Sequence, residues 1–168
     1  LPADKKARFM QVQEELAQLS AKFEENLLDA TNDFALHIDD AAQLAGIPDD
    51  VQEMMQAAAE ADGKTGFKIT LHMPSYLPVM QYADNRDLRE QLYRAYVTRA
   101  SEFGKSELDN TPLIGSILKL RREAAELLGF RSYAEVSPAP KMADTPADVL
   151  KFLDEHGVRA RPYAEKDY

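Results

Sequence analysis

Residues 66–100, GFKITLHMPSYLPVMQYADNRDLREQLYRAYVTRA, decide the fold of this chain. Apolar residues stand at every second position from Phe67 to Met73 and alternate with Lys, Thr and His. This is the period of a strand with one buried face. Because Pro74 cannot donate a hydrogen bond to a ladder, we expect the strand to end at Met73.

Two helices are predicted after this strand. Ser75 offers a hydroxyl that can cap a short helix ending near Tyr82, and Pro78 is tolerated in its early turn. Asn85 is a second cap candidate. Behind it, apolar residues recur every three or four positions, namely Leu88, Leu92, Ala95 and Tyr96. The stretch contains no evident nucleophile, metal cluster or phosphate loop, so it indicates a scaffold.

On the N-terminal side, a long amphipathic helix is predicted from Asp4 to about Ala30, since apolar residues recur there every three or four positions. A coiled coil is the weaker alternative, because the pattern lasts only about three or four heptads. Residues 34–38 alternate like residues 67–73, and we pair the two segments as an antiparallel ribbon.

Between the two strands, an Asp-capped turn is predicted at Asp40 to Leu44. A helix should follow from Pro48 or Asp49 to Ala61, with Asp49 and Gln52 as a capping box. Its expected buried residues are Val51, Met54, Met55 and Ala58.

On the C-terminal side, residues 101–110 form a polar loop, and Thr111 opens a helix that Gly129 ends, with Phe130 completing a Schellman-type end. Two further helices are expected. The first has Ser132 and Glu135 as a capping box. The second starts at Thr145-Pro146, has Val149, Leu150 and Leu153 inward, and is weakened or bent by Gly157 and Pro162. The predicted fold is mainly α, with antiparallel helices and one short two-stranded antiparallel ribbon.

Composition restricts the classes of partner. The 168 residues fit one domain, 45% are hydrophobic and 29% charged, and the formal net charge is −9. This charge repels phosphate backbones and anionic lipids, so we expect neither nucleic acid nor membranes as partners. The absence of cysteine excludes disulfides and thiol chemistry. With no signal-peptide pattern and no long apolar run, the expected location is the cytoplasm.

The two ends of the chain are unusual. It starts with Leu1-Pro2 instead of a methionine and stops at Tyr168 inside a charged helical pattern. We expect a piece of a longer protein, with cloning or processing as the alternative explanation.

The histidines are the strongest candidates for metal ligands, yet none of His37, His72 and His156 stands in an H-E-x-x-H motif. On a paired ribbon, His37 and His72 could become neighbours on the polar face, but no third ligand can be named. Two solvated strand histidines are the favoured interpretation. His156, with Asp154 and Glu155, is interpreted as surface.

Other candidate groups have structural explanations. The pairs Asp39-Asp40 and Asp49-Asp50 stand where helices begin, which favours capping over calcium binding. No G-x-S-x-G setting surrounds any of the serines considered, Ser75, Ser101, Ser116 and Ser137. We therefore assign no catalytic, cofactor-binding or metal-binding residue.

One cluster retains an open alternative. Arginines and tyrosines gather around the two helices of residues 66–100, namely Arg86, Arg89, Arg94, Arg99, Tyr76, Tyr82, Tyr93 and Tyr96. Such a patch can hold a peptide carboxylate or carbonyl. Surface ion pairs with Asp84, Asp87 and Glu90 are the favoured explanation.

Six stretches of the chain, in this order, carry a family resemblance: LPADKKARF, NLLDATNDF, AQLAGIPDD, LHMPSYLPVMQYADNRDLREQLYRAYVTRAS, LRREAAELLGFRSYAE and KMADTPADVLKFL. In these stretches the chain resembles the thimet oligopeptidase family of zinc metallopeptidases. The resemblance extends to about Pro162 and contains no catalytic signature.

The resemblance implies a cytoplasmic hydrolase, mainly helical, that cleaves short peptides inside a deep channel. Its zinc would be held by an H-E-x-x-H motif and a later glutamate, C-terminal to the region matched here. No ligand is carried onto this sequence. Residues 1–168 are then a single helical segment of the channel-wall domain, inactive alone and partnered by a missing catalytic domain. The alternative is a free-standing helical protein-interaction module.

Overall fold

The structure, a computed structural model, describes residues 2–168. The α-helices, α1 to α7, are Ala3–Asn32, Asp49–Ala61, Met73–Tyr82, Arg86–Val97, Thr111–Leu128, Tyr133–Val136 and Pro146–Asp167. The strands, β1 and β2, are Ala35–Ile38 and Phe67–Thr70, and 3-10 turns lie at Ala41–Leu44 and Ser106–Leu108. The predicted class, mainly α with one two-stranded antiparallel ribbon, is confirmed.

The chain divides into two compact units. The ribbon unit is Ser20–Ile114, and the terminal unit is the chain up to Leu19 together with Gly115–Tyr168. The ribbon unit has its own apolar core, formed by Ile38, Leu44, Ile47, Met55, Ile69, Leu71, Tyr76, Val79, Ala83, Leu88 and Leu92. A two-stranded ribbon is marginally stable alone, so its buried face needs this packing against helices.

The antiparallel pairing of the ribbon is confirmed, with Leu36 opposite Ile69 and His37 opposite Lys68. The predicted end of the second strand was wrong, because β2 stops at Thr70 and Met73 already belongs to α3. Proline is favoured in the first turn of a helix, where its missing N–H has no partner to lose. The helix therefore starts before Pro74 rather than after it.

The predicted cap of α3 was also wrong. His72 takes the cap position, and its carbonyl accepts from the N–H of Tyr76 at 2.8 Å. Ser75 lies inside the helix, where its hydroxyl accepts from the N–H of Thr70 at 3.0 Å. The serine thus joins the end of β2 to α3.

Two predicted caps of the ribbon unit are confirmed. The Asp40 carboxylate accepts from the N–H of Ala42 at 2.9 Å, and the Asn85 side chain accepts from the N–H of Leu88 at 3.1 Å. Each satisfies a backbone donor that a helical first turn leaves unpaired.

The capping box predicted for α2 was wrong. Pro48 occupies the cap position without a side-chain bond, and Gln52 instead donates from Nε2 to the carbonyl of Ile47 at 2.8 Å. The buried face is also shifted, since Met55 and Ala59 are buried whereas Met54 is 40% exposed.

The terminal unit has a smaller core, with Val12, Leu120 and Ala124 buried and Phe9, Leu16, Leu19 and Leu127 packed against them. Arg8 donates to both carboxylate oxygens of Glu123, at 2.6 and 2.8 Å. Such a bidentate pair fixes geometry as well as charge.

The predicted Schellman end of α5 is confirmed. The N–H of Phe130 bonds to the carbonyl of Ala125 at 2.9 Å, and that of Gly129 to Glu126 at 3.1 Å. Gly129 has φ +82°, a left-handed conformation that favours glycine.

The capping box predicted for α6 was wrong. Ser132 makes no side-chain cap bond, and the Glu135 carboxylate accepts from the N–H of Arg131 at 2.9 Å. The helix α6 is a single turn of four residues.

The start of α7 is confirmed, with Thr145 and Asp148 forming a capping box. The predicted inward face was wrong, since Val149, Leu150 and Leu153 are 38%, 61% and 57% exposed. The helix also continues through Gly157 and Pro162. Across residues 2–168, no helix combines the length and apolarity that crossing a bilayer requires.

Candidate functional site

The three histidines lie on three different elements. His37 is on β1, His72 caps α3, and His156 is on α7, where its Nδ1 lies 2.8 Å from the carbonyl of Phe152. The register places Lys68, not His72, opposite His37. The ribbon therefore does not bring two histidines side by side, and His72 is not a strand residue. His156 is exposed, as predicted.

His37 faces a charged pair in the ribbon unit. Its Nε2 lies 3.7 Å from Asp62 Oδ2 and has no hydrogen-bond partner among residues 2–168. The same carboxylate oxygen lies 2.6 Å from Lys68 Nζ. The hydrogen bond from Lys68 holds the pKa of Asp62 below its ordinary value of 3.8. This arrangement is an ion pair with a nearby imidazole.

A hydrolytic zinc ion takes three protein ligands and an open position. Within residues 2–168, no group of three or more His, Cys, Asp or Glu side chains is placed to hold a metal ion. The described residues therefore do not fit the zinc site that the family resemblance implies.

The arginine and tyrosine cluster separates into distinct contacts. Tyr76 and Tyr96 stack with ring centroids 4.3 Å apart and planes 15° apart. The Arg99 guanidinium carbon lies 3.7 Å from the centre of the Tyr96 ring. These three side chains form a continuous stack, which we call the tyrosine–arginine stack, from the buried Tyr76 outward. Cation–π and aromatic contacts of this geometry are attractive.

The stack is anchored by hydrogen bonds. Arg99 donates from Nε to the carbonyl of Tyr96 and from Nη1 to the hydroxyl of Thr31, each at 2.8 Å. Thr31 is buried and in turn donates to the carbonyl of Leu27. Burial raises the pKa of the Tyr76 hydroxyl above its ordinary value of 10.0, with Tyr96 acting in the same direction. The Tyr96 ring therefore holds the face of the Arg99 guanidinium, and the two hydrogen bonds hold its edge.

The other arginines have separate roles. Arg89 donates to the carbonyls of Ala83 and Asp84, just after α3. Arg94 pairs with Glu90 at 3.2 Å, and both side chains are exposed. The predicted surface ion pairs are thus found for Glu90; within residues 2–168, the arginines of the cluster do not pair with the carboxylates of Asp84 or Asp87.

A cleft of about 310 Å³ in the ribbon unit is lined in part by Arg99. We call it the Arg99 cleft. Its lining includes Asp33, Thr98 and Lys105 as polar residues and Phe34, Leu71, Ala95 and Leu108 as apolar ones. Lys105 Nζ lies 2.6 Å from Asp33 Oδ2, and this hydrogen bond raises the pKa of Lys105 above its ordinary value.

A buried amide pair supports the loop that carries Lys105. Asn26 Nδ2 donates to Asn110 Oδ1 at 2.9 Å, and Asn110 Nδ2 donates to the carbonyl of Phe23 at 3.0 Å. The N–H of Asn110 also bonds to the carbonyl of Ala100. These hydrogen bonds hold the loop between α4 and α5 against α1.

Sequence reasoning named Arg99, Tyr76 and Tyr96 but missed Asp33, Lys105 and the two asparagines. These residues come from the end of α1 and from the loop after α4. A signal of local spacing cannot connect positions so distant in the chain. The polar character of residues 101–110 was the one available hint.

Comparison of the sequence with known proteins places this chain in a family. The sequence model of Peptidase family M3 matches residues 79–168. Oligopeptidase A of Haemophilus influenzae is 46% identical over 169 aligned residues, covering 99% of this chain and 25% of that protein. Oligopeptidase A of Escherichia coli is 45% identical with the same coverage.

A plant protein is also similar. The probable cytosolic oligopeptidase A of Arabidopsis thaliana is 50% identical over 150 residues, covering 85% of this chain and 21% of that protein. The chain spans about a quarter of the length of these bacterial relatives. The family match extends over more than half of the chain, and the chain belongs to peptidase family M3.

Proposed function

We propose that this chain is a non-catalytic part of a zinc-dependent oligopeptidase that cleaves short peptides in a deep channel. The observation that carries the proposal is the 46% identity to an oligopeptidase A over 99% of the chain. The 168 residues contain no H-E-x-x-H motif, and those described offer no set of zinc ligands. In this proposal the zinc ligands come from other polypeptide of the same protein.

The contribution of these residues would be steric and positional. A channel wall limits which substrates enter, and fixed polar groups on it can orient a peptide. The tyrosine–arginine stack supports this role, because Arg99 is anchored to the scaffold rather than free to move. The proposed location is the cytoplasm, in keeping with the lack of cysteine and the name of the Arabidopsis cytosolic relative.

A fluorogenic peptide assay tests the proposal. We expect the 168-residue chain with added zinc to give no turnover, and an oligopeptidase A that contains these residues to give turnover that a chelator abolishes and zinc restores. Chelator-sensitive turnover by the 168 residues alone would contradict the non-catalytic role.

The alternative, a free-standing helical interaction module, is separated by sizing. In a peptidase, the apolar side chains of α7 would be covered by other polypeptide, so the 168 residues alone should self-associate with rising concentration. Light scattering over a concentration series measures this. A monomer at every concentration would favour the module.

A further inference from the structure

The Arg99 guanidinium is preorganised. Tyr96 covers its face at 3.7 Å, and Nε and Nη1 each have an acceptor at 2.8 Å. Nη2 has no hydrogen-bond partner in residues 2–168. Of the planar fork of donors that a guanidinium presents, Nη2 is therefore the nitrogen left for a carboxylate, and a guanidinium already held in place loses little entropy on binding.

Charged side chains of both signs surround the Arg99 cleft. Two cations, Arg99 and Lys105, and one carboxylate, Asp33, line it, and Glu107 lies close enough to Lys105 to act on its charge. The side chains of Lys105 and Asp33 are 55% and 50% exposed. Exposed pairs of this kind are weak, so Lys105 can turn toward a second carboxylate at little cost.

The size and floor of the cleft suit one end of a peptide. A volume of about 310 Å³ lies at the lower end of the range for ligand pockets. Leu71 is 2% exposed, and Phe34 and Ala95 are half-buried, so they give the cleft an apolar side. A carboxylate group next to one apolar side chain matches these features.

We infer that the Arg99 cleft binds the C-terminal carboxylate of a short peptide through Arg99 and Lys105, with the last side chain of the peptide against Phe34 and Ala95. This inference rests on the proposed function for the choice of a peptide as the ligand. The carboxylate requirement comes from the cleft itself.

The test compares the affinities of two peptides for the unaltered 168-residue chain. The probes are Ala-Ala-Leu with a free carboxylate and the same peptide as its C-terminal amide, titrated in the presence of a chelator and followed by nuclear magnetic resonance. We expect saturable shifts at Ala95, Thr98 and Gly104 with the free acid. Loss of one charged hydrogen-bonding group should weaken binding of the amide by about tenfold or more. Equal affinity of the two peptides, or shifts that avoid the cleft, would overturn the inference.

Variants locate the binding group. Arg99→Lys keeps the charge but removes the fork, and we expect about tenfold weaker binding of the free acid. Because Arg99 also holds Thr31, Lys105→Gln serves as a second variant at an exposed position, with a smaller loss expected. The control is Arg122→Lys, an exposed arginine paired with Glu126 on α5. Unchanged binding in both cleft variants would also overturn the inference.

The outcomes separate this inference from the proposed function. Binding is measured without zinc and without turnover. Carboxylate-dependent binding with no chelator-sensitive hydrolysis by the larger protein would remove the proposed function alone. Hydrolysis without binding in the cleft would remove the inference alone.

Discussion

The two units of the chain bury their apolar residues to different extents. Among the described residues, the core of the ribbon unit holds eleven buried side chains, whereas that of the terminal unit holds three. Every residue of α7 after Pro146 is exposed, including Leu150, Phe152 and Leu153. Both units are built from helices with regular apolar spacing. Regular apolar spacing thus produces a helix in each unit, but the apolar side chains are buried only where another element packs against them.

The largest effect should separate two leucines. Leu92 on α4 is fully buried, and Leu92→Ala should lower the free energy of unfolding by about 2–5 kcal/mol, because it removes apolar contacts and leaves a cavity. Leu153→Ala on α7 should change it by less than about 0.5 kcal/mol, since that side chain is 57% exposed. Urea unfolding of both variants measures the difference. Equal losses would show that α7 is buried in solution.

Two glycines, Gly46 and Gly129, allow a second paired comparison, of backbone conformation and of the space around it. Both have positive φ, +87° at Gly46 and +82° at Gly129. A Cβ at Gly46 would lie 2.2 Å from the carbonyl oxygen of Tyr82, whereas nothing lies within 4 Å of one at Gly129.

Gly129→Ala should therefore cost about 1–2 kcal/mol from the left-handed conformation, and Gly46→Ala should cost more because the clash adds to it. Thermal and urea unfolding provide the measurement. A larger loss at Gly129 would contradict this explanation.

The buried amide pair is expected to contribute less than the core leucine. Asn110→Ala leaves the Asn26 amide and the carbonyl of Phe23 without their partner, which should cost about 1–3 kcal/mol. The matched control is Asn32→Ala at the exposed end of α1, where little change is expected. Hydrogen exchange of residues 101–110 should also accelerate in the first variant only. A stability equal to that of the control would show that the amide pair contributes nothing.

The smallest effect concerns pH and compares one carboxylate from each unit. Hydrogen bonds from Lys68 and Arg8 lower the pKa of Asp62 and of Glu123 respectively. Because each folded-state pKa lies below its unfolded value, the unfolded chain binds more protons in this range. The stabilisation is therefore present above pH of about 4 and is lost as pH falls through the folded values.

Asp62→Asn and Glu123→Gln should each reduce the loss of stability between neutral pH and about pH 3. Urea midpoints at the two pH values measure it, with the exposed Glu24→Gln as control. If both variants lose as much stability on acidification as the unaltered chain, the assigned ion pairs are contradicted.

Much of the fold could be predicted because its determinants are local. The helical period and the caps Asp40, Asn85 and Thr145 define helix starts within a few residues of each other in sequence. The Schellman end at Gly129 follows from the same kind of local signal. The start of α3 was missed because Pro74 is compatible both with the end of a strand and with the start of a helix.

The wrong burial assignments have a different cause. The spacing of Met54, Val149 and Leu153 defines an apolar face but does not determine whether another element covers it. The candidate site shows the same limit. The arginines and tyrosines could be named as a set, but the joining of Arg99 to Thr31 depends on a contact 68 positions apart in sequence.

The tyrosine–arginine stack also gives the chain an optical signal. The chain contains seven tyrosines and no tryptophan, so tyrosine dominates its ultraviolet emission over the weakly emitting phenylalanines. Tyr76 and Tyr96 are stacked, and a cation lies on the outer ring. A displacement of Arg99 changes the electrostatic field on that ring, and with it the near-ultraviolet circular dichroism of the pair. Events at Arg99 can therefore be followed without attaching a dye.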